Sequence, residues 1–180
     1  MTTKRSFLAA LCMLFSSMAL WADDVQVVTE PVDGCFAIAG STVTDKAIIL
    51  YDDQDAEVVQ TVVDCLISDL KAVTRKTFMK YTAEPTSLKN PIIVGTIGQS
   101  SHINQLMNEG RIDVSDVKGK WEAFGMQTVD NPMEGVERAL VIFGSQPRAT
   151  AYGMLELSRM MGVSPWIWWA VVTPAVHTQL

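Results

Sequence analysis

Apolar positions follow two alternating rhythms along this chain. Ala47 to Tyr51 is a short apolar run, read as a strand, that ends in Asp52, Asp53, Gln54 and Asp55. Beyond it Val59, Val62, Val63, Leu66, Leu70 and Val73 recur at helical spacing. This predicts an amphipathic helix from Ala56 to Arg75, with an aspartate as N-cap and Lys71, Arg75 and Lys76 near its C-terminus. The plan then repeats. Pro91 to Val94 reads as a buried strand running into Gly95, Thr96, Ile97 and Gly98, with a helix from Ser100 or Ser101 towards Glu109. Ala139 to Phe143 is another apolar strand, followed by Gly144 and Ser145 and a helix to Met161, with Ser145 as N-cap, Pro147 in the first turn and Gly162 at the C-cap. Val25 to Val28, Phe36 to Ile38 and Trp121 to Val129 are weaker strand candidates. Successive strand-glycine-helix units predict an α/β or α+β fold, a mixed, at least partly parallel sheet with helices packed on it.

Composition narrows the class. With 180 residues, 48% hydrophobic and 19% charged, the chain holds one ordinary domain and is not disordered. A complete (β/α) barrel enzyme, at about 250 residues, does not fit. Lys4 and Arg5 precede an apolar stretch from Phe7 to Leu20, and Ala22 stands before Asp23 and Asp24, so residues 1–22 read as a secretory signal peptide and imply a secreted or periplasmic product. Leu11 before Cys12 weighs against a lipoprotein, and the apolar run is short for a membrane span. The net charge is −6 and becomes more negative without Lys4 and Arg5, which argues against a nucleic-acid partner. After cleavage Cys35 and Cys65 remain, either paired in a disulfide or, the reading preferred, separate small core residues.

Candidate chemistry is sparse. Only His102 and His177 are present, and no zinc, phosphate-loop or Gly-x-Ser-x-Gly pattern occurs. Neither a metal nor a cofactor is expected. Ser100, Ser101 and His102 are neighbours without a triad context, and Glu134 and Glu137 lie in the polar stretch Asp130 to Arg138, read as a solvated turn. The two glycine loops, Gly95 to Ser101 and Gly144 to Thr150, open helices whose free N–H groups suit an anion, and Arg148 adds a guanidinium fork. On spacing alone, simple turns are the preferred reading of both. Finally, Trp166, Trp168 and Trp169 crowd one short segment, as a buried interface or a sugar-facing wall would.

Two stretches carry a resemblance. Leu140-Val141-Ile142-Phe143-Gly144-Ser145-Gln146-Pro147-Arg148-Ala149-Thr150-Ala151-Tyr152-Gly153, continued through Leu157-Ser158-Arg159 to Gly162-Val163-Ser164-Pro165-Trp166-Ile167-Trp168-Trp169-Ala170, resembles glycoside hydrolase family 115. Gly95-Thr96-Ile97-Gly98 with Ile103 and Leu106 looks like an earlier element of that family. The resemblance implies an exported α-glucuronidase that removes glucuronic or 4-O-methylglucuronic acid from xylan with inversion. It also implies an α/β N-terminal domain followed by a (β/α) barrel that holds the catalytic carboxylates.

On this reading residues 23–165 are the N-terminal domain, and 166–180 are the start of the barrel segment followed by a divergent tail. The chain departs from the family pattern at Val171, where an aspartate is expected, which points to truncation and to a fragment inactive alone. No catalytic residue is assigned. Gly95, Thr96, Ser145, Arg148, Trp168 and Trp169 are the expected substrate-binding positions, with Arg148 near the uronate carboxylate of glucuronoxylan or another uronic-acid-bearing oligosaccharide. The partner is the missing barrel domain; no nucleic acid and, after signal cleavage, no membrane is expected. The alternative is a non-catalytic carbohydrate-binding module using the tryptophan cluster.

Overall fold

In the computed structural model, residues 25–30, 32, 35–40, 47–83, 90–166, 173–178 and 180 are described. In chain order the elements are β1 (Ile48–Leu50), α1 (Glu57–Thr74), β2 (Lys80–Tyr81), β3 (Pro91–Thr96), α2 (Ser101–Asn108), β4 (Phe124–Met133), β5 (Val136–Gly144) and α3 (Pro147–Met160). The strands form one sheet in the order β2-β1-β3-β5-β4. β2, β1, β3 and β5 run parallel, and β4 returns antiparallel along β5. The expected α/β architecture with a mixed sheet is therefore the one found.

Why the central strands are apolar throughout follows from what covers them. Every residue of β3 is buried, because helices lie on both faces of the sheet. Side chains of a strand alternate between faces. Ile92 and Val94 join Val59, Val63, Leu66 and Leu70 of α1 and Met154 and Leu157 of α3. Ile93 joins Ile103 and Leu106 of α2 with Val141 and Phe143 of β5. Each of the buried α1 side chains contributes about 2 kcal/mol by leaving water, so that amphipathic stripe anchors the first core. Gly162, at φ +87°, lies just past the end of α3, where the left-handed conformation stops the helix.

Three local expectations are corrected. No aspartate caps α1: its N-cap is Ala56 without a side-chain bond, because the Asp55 carboxylate is turned towards the Thr96 N–H at the end of β3. Ser145 does not cap α3 either, since the N-cap is Gln146 and the Ser145 hydroxyl accepts from Ala123, the residue before β4. The polar stretch from Asp130 is not a plain turn. β4 continues through a bulge between Asp130 and Met133, and the Asp130 carboxylate accepts a hydrogen bond from Arg138 across the hairpin. Pro132 is tolerated there because β4 is an edge strand.

Residues 25–28 and 36–38 form no strand. Val27 and Phe36 pack on the core, while Ile38 and Ala39 bond through their backbones to Leu180. Cys35 and Cys65 are free thiols and both are exposed, so neither the disulfide nor the core reading describes them. Residues 1–22, which read as a signal peptide, and Trp168 and Trp169 lie outside the described residues.

Candidate functional site

In an open parallel sheet, ligands enter at the carboxyl ends of the strands, where helices depart to opposite faces. Here that point lies between β1 and β3, because α1 and α2 pack on opposite faces. The molecule fills it with its own carboxylates. Asp52, which follows β1, accepts hydrogen bonds at Oδ2 from the Ser101 N–H (2.7 Å) and the Ser101 hydroxyl (2.6 Å), while Oδ1 accepts from the Gln54 N–H at 2.8 Å. Asp55 accepts from the Thr96 N–H at 2.7 Å and from the Ala56 N–H at 2.8 Å. The anion that suits the start of α2 is thus an internal aspartate.

Gly95 and Thr96, expected at the substrate, have structural tasks in this arrangement. Thr96 is buried, and its hydroxyl lies 2.9 Å from that of Thr150 on α3. A Cβ on Gly95 would stand 2.3 Å from the Ser100 Cβ, so glycine is what lets α2 start this close to the strand. The Ser100 hydroxyl accepts from the Ile103 N–H and caps α2. His102 lies on α2 with a ring nitrogen 3.2 Å from the Thr82 carbonyl, so it pairs with neither serine. Glu134 and Glu137 are exposed on the β4–β5 hairpin, at the end of β5 opposite Gly144.

Asp52 gives the acid response a sign. Burial opposes its charge, but the bonds from Ser101 and Gln54, with His102 nearby, outweigh that and hold its carboxyl below the ordinary carboxylate range. A carboxyl whose folded pKa is depressed stabilises the fold above its unfolded pKa, about 3.9, and the contribution is lost as pH falls through the folded value. Asp52→Asn is therefore expected to lower stability at pH 7 by about 1–2 kcal/mol. Its acid limb below about pH 4 should be shallower than that of the parent. Urea melts from pH 7 to 3 measure both, and an unchanged slope would refute the assignment.

The open part of the rim lies beyond the end of β5. Arg148, in the first turn of α3, forms an ion pair through Nη1 with Glu122 Oε1 at 3.0 Å and donates from Nη2 to the Tyr152 hydroxyl at 2.9 Å. Both contacts hold the guanidinium above its ordinary pKa, Tyr152 first. Ser145 ties the neighbouring turn to this helix start, because its N–H donates to the Ala123 carbonyl at 2.8 Å and its hydroxyl accepts from the Ala123 N–H at 3.2 Å. Trp121, 77% exposed, and Glu122 precede that clamp. Of the expected site residues, the structure brings Ser145 and Arg148 together here and leaves Gly95 and Thr96 in the interior. Nothing in the sequence marks Trp121, Glu122 and Tyr152 as site residues; strand composition places Trp121 at the start of a strand, whereas it stands exposed ahead of β4. Among the described residues no His, Cys, Asp and Glu cluster is arranged to hold a metal ion, and no helix is long and apolar enough to cross a membrane.

The fold and this rim define an α/β domain with an open, mostly parallel sheet. Among solved structures, the chain is similar to BtGH115A, a family GH115 4-O-methyl-α-glucuronidase with specificity for decorated arabinogalactans, at 38% identity and a TM-score of 0.61. The similarity to glycoside hydrolase family 115 that the sequence carries is thereby shown. It covers 74% of this chain and 16% of that enzyme, so the chain spans a small part of its relative's length. CpGH84D aligns over 76% of this chain and 21% of its own at 11% identity, with a TM-score of 0.46. No family model and no curated protein matches the chain.

Proposed function

We propose that this chain is the N-terminal domain of a secreted α-glucuronidase-like glycoside hydrolase, and that it positions a uronic-acid-decorated polysaccharide for a catalytic barrel. The observation that carries this reading is the 38% identity to a family GH115 4-O-methyl-α-glucuronidase across 74% of the chain. Inverting hydrolysis needs an acid and a base about 6.5–9.5 Å apart on either side of the scissile bond. Three carboxylates near the rim are otherwise engaged: Asp52 and Asp55 hold the domain's own N–H groups and Glu122 pairs with Arg148. That supports a positioning role for the domain, with Ser145 and Arg148 as its polar contacts and the chemistry supplied elsewhere in the complete enzyme.

Glucuronoxylan is the substrate implied by the sequence resemblance, and the relative's specificity for decorated arabinogalactans favours a second polysaccharide as the carrier of the uronic acid. In the complete enzyme, Arg148→Ala is expected to raise KM or lower kcat about tenfold or more on the decorated polymer, the value of one charge-assisted bond. Uronic acid release from glucuronoxylan and from decorated arabinogalactan, measured in parallel, identifies the carrier. Unchanged kinetics on both would sink the role given to Arg148, and uronic acid release by the isolated chain would sink the division of labour.

A further inference from the structure

Resting on that reading, we infer that Trp121, Glu122, Arg148 and Tyr152 form a platform for a neutral pyranose ring of the polysaccharide, not for its uronic acid. The platform begins with a strained turn. Glu122 has φ +47°, in the left-handed region that a glutamate enters only when its surroundings compel it, at a cost of about 1–3 kcal/mol. Two devices compel it here. The paired hydrogen bonds between Ser145 and Ala123 fix the residue after it, and the 3.0 Å contact with Arg148 fixes its side chain. The conformation sets Glu122, 24% exposed at its side chain, against the helix start and leaves the neighbouring Trp121 77% exposed. A sequence seeking only to close this turn would place glycine at 122 and a polar residue at 121.

The chemistry offered suits a sugar with hydroxyls. An indole face accepts the C–H face of a pyranose, burying apolar area with little loss of side-chain freedom. Glu122, the residue after Trp121, offers its carboxylate as an acceptor for sugar hydroxyls. Arg148, with one of its five N–H donors on Tyr152, its charge paired with Glu122 and its side chain 62% exposed, supplies its other donors to ring or hydroxyl oxygens. A uronate is the poorer occupant: to reach Arg148 its carboxylate must sit beside Glu122 or displace it, and like charges at that separation repel. A protein interface is poorer too, because covering the Glu122–Arg148 pair removes both charges from water without replacing their hydration, whereas sugar hydroxyls replace it.

The test uses the full chain labelled with 5-fluorotryptophan, the Trp121 resonance being the one lost in Trp121→Phe. Xylohexaose, β-1,3-galactotetraose and glucuronic acid are titrated separately, and affinity electrophoresis reports binding to the decorated polymers. The inference requires a saturable shift of the Trp121 resonance with a neutral oligosaccharide, the two sources being told apart by which one shifts it. Glu122→Gln and Arg148→Ala should each weaken that binding about tenfold, as for loss of a hydrogen bond to a charged group, while unchanged far-ultraviolet circular dichroism reports an intact fold. Retention by the polymers without any Trp121 shift would overturn the platform and leave the proposed function standing. A saturable glucuronate shift that Glu122→Gln strengthens would overturn the neutral-ring assignment. A Trp121 shift that follows protein concentration and ignores sugar would make the surface a protein contact and overturn the inference as well. No retention by the polymers, together with unchanged kinetics of Arg148→Ala in the complete enzyme, would remove both.

Discussion

Replacing Gly144 by alanine is expected to destabilise the domain by about 3 kcal/mol or more, at the upper end of what overpacking costs. Gly144 ends β5, pairs with Thr96 of β3, and through its carbonyl accepts the Ile97 N–H at 3.0 Å. A Cβ built there would lie 2.2 Å from the Thr150 backbone nitrogen and 2.6 Å from its Oγ1. These are not flexible neighbours. Thr150 is fully buried in α3, its N–H bonds to the Gln146 carbonyl at 3.0 Å, and its hydroxyl contacts both Thr96 and Gly95. Relief therefore requires α3 to move off the sheet, disturbing the packing of Met154 and Leu157 on Ile142 and Leu140. Gly98→Ala is the contrast. Gly98 sits at φ +86° with open space around it, so alanine there meets only conformational strain of about 1 kcal/mol. Chemical denaturation of both variants checks the ranking, and equal costs would show that α3 adjusts freely.

The same close approach explains how much of the fold was legible. α1, β3, β5 and α3 are strongly patterned, the last three bounded by glycine or proline, and each lies within a few residues of where apolar spacing places it. β2 was not legible. It consists of Lys80 and Tyr81, and only its parallel register with Ile49 and Leu50 makes it a strand. The far half of β4 was hidden for the opposite reason: Asp130, Asn131 and Pro132 are turn formers, and an edge strand with a bulge accommodates them where a central strand would not. Val25 to Val28 has strand composition, but Val27 packs on the core without a neighbouring ladder and Val28 stays exposed.

Legibility of the site was poorer because its partners are distant in sequence. Local spacing makes the acidic cluster after β1 a source of a capping aspartate, whereas Asp52 and Asp55 satisfy N–H groups at the start of α2 and the end of β3, across 49 residues to Ser101 and 41 residues to Thr96. Ser145 looked like the cap of the helix it precedes and instead clamps Ala123, which β4 brings alongside through the pairing of Phe124 with Gly144. Arg148 was singled out for its fork, a property of the side chain alone. Its two contacts needed the structure, and they changed the question from which anion it binds to which polar groups still reach it.

Asp55→Ala is the second large loss expected, about 3 kcal/mol, from two backbone donors deprived of a charged acceptor. Asp55 is 4% exposed, and each of its carboxylate oxygens accepts one N–H, from Ala56 and from Thr96. Thr96 is itself 1% exposed, so water cannot replace the lost partner at that N–H. Asparagine tests the explanation more sharply than alanine does. It keeps one oxygen able to accept and sets an NH2 group against the other N–H, so Asp55→Asn should recover only about half of the loss. Were the aspartate needed only for its shape or for the α1 macrodipole, asparagine would restore most of the stability and alanine would cost about 1 kcal/mol or less. The two outcomes separate in denaturant midpoints at pH 7. Amide exchange adds a local readout, since the Thr96 N–H should lose protection in Asp55→Ala while the β5 amides paired with Ile92 and Ile93 keep theirs.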